Sequence, residues 1–506
     1  MHVSKYLVVV AIGVAAAALV ARADNQTPEF RAFWADAWHE GFQSPAQVSN
    51  LISGIRFANC NAIFVQARKR GDAYYQASPF EPVAASVAAD FDPLAEVIRA
   101  AHDTNFGPRL EVHAWFVTYP ATTIMRLTNK PPIITASLTE QHPFTLHPDW
   151  LDESDAGLKS DGTGYSFDPG HPAVQKHLFN VAMDIISRYD VDGFHFDHAR
   201  YLTPNWGYNP VSVARFNTLF QRTGKPLASD PDWLQFRRDQ ITAQVRKIYL
   251  SAIALKPDLK ISASTVAWAP GITSDDQWPT TVAYRTALQD WRAWMEEGIL
   301  DINVPMDFCV QTNPVYARVF SDWAGFATDH KYSRQVVIGQ GSWINSIAGT
   351  LAQIQAARQT TAASNTADGI ALYSYAFPTG KASERPAFIA ALTSATNQPP
   401  AFPAPVPVPD MPWKTQPTKG HLMGYTLGGS TSNALDGATI TLSGPAQRKL
   451  TSDATGFYGA VDLPPGAYTL IASFPGYVSG TNTCTISAGK VTTQPVMLDA
   501  AAGGSH

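Results

Sequence analysis

Apolar positions along this chain follow two alternating rhythms. Short runs rich in apolar and β-branched residues occur at Phe30–Asp36, Asn61–Ala67, Arg109–Val117, Asp192–Asp197, Leu259–Val266, Asp301–Asp307, Gln335–Gln340 and Gly369–Ser374. Runs of this length, bounded by turn residues, predict buried strands. Between them lie stretches with apolar residues at helical spacing: Pro45–Asn59, Pro93–Thr104, His171–Tyr189, Pro231–Leu255, Thr286–Gly298, Val315–Lys331 and Ile347–Ala363. Several open on Pro after Ser or Asp, as at Ser44-Pro45 and Asp92-Pro93. There the polar side chain satisfies a free backbone N–H, and proline has none to satisfy. Strict alternation of strand and helix implies parallel pairing, and eight such units close into an α/β fold, a (β/α)8 TIM-type barrel over residues 28–395. An open doubly wound sheet would carry a Gly-rich phosphate turn, which this sequence lacks.

The rhythm breaks in informative places. Thr118–Gly170, Leu202–Asp230 and Ala267–Ala283 are long connections that follow strand ends, so all three are expected to rim one face of the barrel. After Ala395 the sequence turns proline-rich, and residues 396–418 are expected to form a stiff linker. Short strand-like runs at Ala438–Ser443, Phe457–Leu463, Tyr468–Phe474 and Thr481–Ile486 predict a small all-β sandwich over residues 419–499. At the other end, Lys5, the apolar run Leu7–Val20 and Ala21-Arg22-Ala23 form a signal-peptide pattern over residues 1–23. Cleavage after Ala23, export to the periplasm or the exterior, and no membrane span after cleavage are the expectations.

Composition narrows the function classes. With 506 residues, 45% of them hydrophobic, the chain has ample material for a large core. A net charge of −5 with only 16% charged residues argues against nucleic acid as a partner, because binding a polyanion needs clustered Lys and Arg. Cys60, Cys309 and Cys484 make neither zinc nor redox spacing and are taken as packing residues. No Gly-x-Ser-x-Gly elbow, His-Glu-x-x-His helix or Walker loop is present. No cofactor or metal is therefore expected.

Chemistry in such barrels sits at the C-terminal ends of the strands. The fourth strand there ends in His195, Asp197, His198, Arg200 and Tyr201. Side-chain alternation puts His195 and Asp197 on one face and turns His198 away. Asp197 is the leading catalytic carboxylate, and Asp307, ending strand six, is its expected partner. Two carboxylates flanking a sugar can serve as general acid and as nucleophile or base. Around them the expected substrate contacts are Asp36, Arg68, His113, Trp115, His195, Arg200, Tyr201, Trp206, Trp268, Gln340 and Tyr373. Aromatic faces offer flat apolar surface to sugar C–H groups. Asp192, at the start of strand four, is expected to shape a turn.

These residues resemble a known family. Arg31-Ala32-Phe33-Trp34, Asn61 through Arg68, His113-Ala114-Trp115-Phe116, Asp168-Pro169-Gly170-His171-Pro172 and Asp190 through Asp197 are similar to the glycosyl hydrolase-like family 10 domain. The likeness implies an exported enzyme that hydrolyses a polysaccharide or oligosaccharide, with bacterial cell-wall glycan among the substrates. Thr455 through Leu470 resembles the carboxypeptidase regulatory-like domain, which implies a non-catalytic module. The chain also departs from the pattern. Related barrels often carry an acid/base Glu at the end of strand five, where this sequence reads Ser262-Ala263-Ser264-Thr265-Val266, with Asp275 and Asp276 only later. At strand six, Pro305-Met306-Asp307-Phe308 replaces Pro-Gln-x-Tyr, which leaves the proton donor open. Two alternatives stay open with it: a carbohydrate-binding protein without catalysis, and a metal-dependent deacetylase built on His195, Asp197 and His198.

Overall fold

The computed structural model describes residues 27–125, 133–134, 139–394, 399–429 and 432–501; the expected signal peptide, residues 1–23, lies outside them. Eight parallel strands close into a barrel: β1 (Phe30–Ala35), β2 (Ala62–Arg68), β3 (Glu111–Val117), β4 (Gly193–Asp197), β5 (Lys260–Val266), β6 (Ile302–Asp307), β7 (Gln335–Gly341) and β8 (Gly369–Tyr373). Each boundary lies within two residues of its sequence expectation. Strand residues are buried almost without exception, because helices cover the outer face and side chains fill the lumen.

The outer helices begin where the caps require. Ser44 accepts from the Gln47 N–H, Asp92 from that of Ala95, and Asp230 from those of Asp232 and Trp233, each followed by Pro. The helix expected from Thr286 begins only at Trp291. Val282–Thr286 instead forms a wider π turn, and Asp290 caps the helix Trp291–Glu297.

Alternation along the strands sorts two cores. Phe30, Ala32, Trp34, Phe64, Trp115, Val304, Val337 and Ala371 pack together inside the barrel. Ile63, Val65, Val112, Phe194, Phe196, Ile261 and Ile338 join the helices outside. The lumen is tight enough to demand a glycine. A Cβ on Gly193 of β4 would sit 2.1 Å from Nδ1 of His113 on the paired strand. Asp168 ties the first two long connections together. Its carboxylate accepts from Gly170 N at 2.6 Å, Ser212 Oγ at 2.8 Å and Asn209 N at 3.1 Å. The Asp-Pro-Gly-His run thus braces the rim.

The proline-rich segment is not a free spacer. It lies across the barrel end opposite the strand C-termini. Its carbonyls accept from barrel side chains: Ala404 from Arg31 at 2.8 Å, Val406 from Asn61 at 3.1 Å, and Asp410 from Gln335 at 2.9 Å. Met411 packs into the luminal core, and the Trp413 indole donates to Asp301 at 2.7 Å. An extended proline-rich chain leaves its carbonyls unpaired, and here side-chain donors at the strand starts claim them.

Beyond it, a five-stranded and a four-stranded sheet enclose one core of Leu422, Ile440, Leu442, Leu463, Leu470 and Ile486. This sandwich docks against the barrel flank: Arg334, just before β7, meets Asp462 at 2.9 Å, and Arg215, in the connection after β4, meets Asp436 at 2.7 Å.

The close fit at β4 gives a direct test. Gly193→Ala should lower barrel stability by about 1–3 kcal/mol, read as a lower denaturant midpoint at unchanged slope; an unshifted midpoint would show that the lumen yields.

Candidate active site

The mouth is built from inward-facing residues at the strand C-termini. On β4, Asp197 faces in. The Trp115 indole of β3 donates to its Oδ2 at 3.1 Å, and the His198 backbone N–H donates to its Oδ1 at 2.7 Å. His198 departs from expectation. Its backbone adopts φ 50°, which ends the strand and curls the ring back, so Nε2 stands 3.9 Å from Asp197 Oδ2. Arg200 reaches the same carboxylate, with Nη1 3.6 Å from Oδ1, while its Nη2 donates to His198 Nδ1 at 3.2 Å. A ring that accepts from a guanidinium at Nδ1 is the neutral tautomer. Burial, with Arg200 beside it, accordingly holds the His198 imidazole at about 4. For Asp197, burial alone would raise the carboxyl. His198, Arg200, His195 and the backbone N–H outweigh it and hold the group below the usual carboxylate range. Asp197 is therefore an anion at neutral pH.

Aromatic rings surround this carboxylate. Trp115 lies 5.9 Å from Trp38 and 6.3 Å from Tyr373, and Tyr373 stacks on Phe308 at 5.6 Å. The Arg200 guanidinium sits 5.5 Å from the Trp268 ring, and Arg70 sits 5.3 Å from Trp38. Trp38, Trp268 and Trp343 are 37%, 40% and 44% exposed, against 2% for Trp115. They are the tryptophans with faces free for a ligand. Trp38, Arg70 and Phe308 were not among the expected contacts. Alternation could have singled out Phe308, whereas Arg70 is placed by a turn that Asp72 caps at 2.8 Å.

Below this layer, His195 is a framework residue. Trp34 Nε1–H donates to its Nε2 at 3.1 Å, so Nδ1 carries the ring proton and donates to Ser262 Oγ at 2.8 Å. Ser264 lies 2.8 Å from Nε2, and burial lowers the imidazole to about 3. His113 is deeper still, fully buried, with Nε2 3.2 Å from Glu111 at the barrel floor. Asp192 serves the strand starts, accepting from Val112 N at 2.8 Å and His102 at 2.9 Å.

Several expected contacts lie elsewhere, each for a reason of register. A bulge between Gln66 and Arg68 pairs Gln66 with inward Trp115 but Arg68 with outward Phe116. Arg68 is therefore buried among the helices. It holds Glu81 at 2.8 Å and donates to the carbonyls of Val117 and Thr118. On β6, Ile302 and Val304 face in, so Asp307 faces out and Phe308 takes the mouth position. Asp307 accepts from Cys309 Sγ at 3.4 Å, and burial pushes its carboxyl well above the ordinary range. It does not face Asp197. Gln340, paired with Asp307, likewise points outward, donating to Thr350 O at 2.8 Å. Tyr201 and Trp206 are buried beside Arg237, whose guanidinium lies 5.7 Å from the Tyr201 ring and donates to the Trp206 carbonyl. What the structure brings together at the mouth is Asp36, Trp115, Asp197, Arg200, Trp268 and Tyr373.

The Arg68–Glu81 pair carries a pH signature. Burial would raise the Glu81 carboxyl, but Arg68 and His177 hold it at about 2 against an ordinary 4.5. A depressed carboxyl contributes stability above its ordinary value and loses it as pH falls toward the depressed one. Glu81→Gln should therefore cost about 3–5 kcal/mol at neutral pH, because it strands a buried guanidinium. That deficit should shrink between pH 4.5 and 2 in paired denaturation curves; a deficit independent of pH would refute the ion-pair account.

Comparison with known proteins accords with this barrel. Residues 29–356 match the family described as Glycosyl hydrolase-like 10, and residues 425–499 match the Carboxypeptidase regulatory-like domain. The chain is 27% identical over 283 residues to the glycosyl hydrolase YngK of Bacillus subtilis (strain 168), covering 54% of this chain and 51% of that protein. It is 26% identical over 258 residues to the glycosyl hydrolase DigH of Escherichia coli (strain K12), covering 48% and 54%. The chain thus spans about half the length of the curated relatives it matches. Among solved structures, the PgaB (BpsB) glycoside hydrolase domain from Bordetella bronchiseptica superposes with a TM-score of 0.50 at 14% identity, covering 74% of this chain and 100% of that domain. At that identity the likeness shows the fold alone. The family match covers well over half of the chain, and with the closed barrel it makes this protein a member of the Glycosyl hydrolase-like 10 family that carries a C-terminal carboxypeptidase regulatory-like domain.

Proposed function

We propose that this chain is an exported glycoside hydrolase that cleaves glycosidic bonds in a polysaccharide, with bacterial cell-wall glycan as the foremost substrate class. The observation that carries the reading is Asp197: an anionic carboxylate at the lumen end of β4, steadied by the Trp115 indole and encircled by Trp38, Trp268 and Tyr373. A sugar bound against the exposed faces of Trp38 and Trp268 would present its anomeric carbon to a negative charge that is already positioned. The oxocarbenium-like transition state of glycoside hydrolysis develops positive charge there, so a fixed carboxylate favours it over the ground state. Arg200 and the His198 backbone N–H keep the group ionised.

A second reading is a carbohydrate-binding protein without catalysis. It is favoured by the β5 and β6 ends, where Ser264 and Phe308 stand in place of a second carboxylate. Release of new reducing ends from a panel of polysaccharides that includes bacterial cell-wall glycan separates the two. Binding without release would favour the second.

Asp197→Asn should keep the melting temperature near wild type and lower turnover on the cleaved polysaccharide by at least ~10³-fold; near wild-type turnover would remove the central residue of the proposal. Export rests on the pattern of residues 1–23. Mature protein secreted from a bacterial host should begin at Asp24 by N-terminal sequencing, and retention of Met1 would count against cleavage.

A further inference from the structure

Glycoside hydrolysis needs a second group to protonate the departing oxygen, and Asp307 faces away from the mouth. We propose that Asp36 is the second catalytic carboxylate, the proton donor that works with Asp197; this rests on the hydrolase reading above.

Asp36 follows β1 with the inward parity of Phe30, Ala32 and Trp34. It is buried, and its two oxygens are used unequally. Oδ1 is occupied: Trp38 N donates to it at 2.9 Å, His39 N at 3.0 Å, and His39 Nδ1 lies 2.8 Å away. Oδ2 is buried and has no hydrogen-bond partner among the described residues. Of the described buried carboxylates, only Asp307 shares that condition, and it lies outside the barrel wall. Oδ2 is thus the oxygen that the loop's N–H donors leave free.

The position is right as well. β1 and β4 stand three strands apart around the closed ring, and their inward residues meet across the lumen, as Trp34 and His195 do at 3.1 Å. Tyr373 lies close enough to both to feel each of them, although burial is the main cause that raises its hydroxyl above the ordinary range. Trp38, two residues past Asp36, contributes the half-exposed ring beside Trp115. A sugar held on these rings has one carboxylate on each side.

The step balances simply. Asp36 gives its Oδ2 proton to the glycosidic oxygen as the bond from that oxygen to C1 breaks, and the bonding electron pair stays on the oxygen, which leaves as a sugar hydroxyl. Water supplies the hydroxyl that ends on C1. Its remaining proton goes to the carboxylate pair, which regains the single proton it started with.

Asparagine separates catalysis from architecture at this site. Asp36→Asn keeps an Oδ1 acceptor for the Trp38 and His39 N–H groups and replaces only the free oxygen. Two substrates are compared: the polysaccharide that the wild type cleaves, and a 2,4-dinitrophenyl glycoside of the same sugar, whose leaving group needs no proton. Asp36→Asn should lose ~10²–10⁴-fold on the polysaccharide and only a few-fold on the aryl glycoside, whereas Asp197→Asn should fail on both. The ratio between substrates does not depend on the folded fraction, so partial misfolding cannot imitate the result. Retention of polysaccharide activity within a few-fold, or an equal loss on both substrates, overturns the assignment of Asp36 while leaving Asp197 in place. A wild type inactive on every polysaccharide overturns the hydrolase reading and this inference together.

Discussion

The constraint on which the molecule depends is the two-sidedness of a closed parallel barrel. Eight strands with helices outside leave no solvent face, so every strand residue must enter either the lumen or the layer beneath the helices. Period-two alternation assigns the side, and one residue of slip reverses it. Asp197 and Trp115 meet because both fall on the luminal parity of neighbouring strands. Asp307 and Gln340 sit at similar heights but fall on the other parity, and are committed to the outer layer. A single bulged residue on β2 is enough to take Arg68 from one environment to the other.

Within that geometry, electrostatics follow from donors more than from depth. Asp197, Glu81 and Asp307 are all buried acids. Glu81 is met by a guanidinium and an imidazole, and Asp197 by an indole, an N–H and an adjacent guanidinium; both ionise readily. Asp307 has a thiol on one oxygen and, among the described residues, no partner on the other, and burial pushes its carboxyl well above the ordinary range. The contrast explains how a barrel of this kind holds one charge at its mouth and one behind its wall. Neither costs what an isolated buried ion would.

Much of the fold was legible in the residues, and the site less so. All eight strands and most helix starts announced themselves through apolar runs and Ser-Pro or Asp-Pro caps, which are local signals. Asp197 was legible for the same reason, since parity along a regular strand is local. His198 was not, because one residue with positive φ undoes that parity. The place of Arg68 is not legible because a bulge leaves no clear mark in sequence, and height on the strand alone does not give the side that Asp307 faces. For the proline-rich segment, composition reports stiffness, but not that Arg31, Asn61 and Gln335 donate to its carbonyls.

That segment has a consequence for modularity. Met411 seals the luminal core from below, and Trp413 and Lys414 both reach Asp301, a buried acid whose other contacts include Ile261 N. Thermodynamically, then, the chain up to about residue 416 belongs to the barrel, although its composition suggests a tether. The recombination unit is longer than the fold's last helix, and a barrel transplanted without this tail would carry an open floor and an uncovered carboxylate. A sandwich exchanged at that border would inherit a barrel already closed. Shuffling of accessory domains in such chains should leave its seams after the strap, where the floor no longer depends on the identity of the next domain.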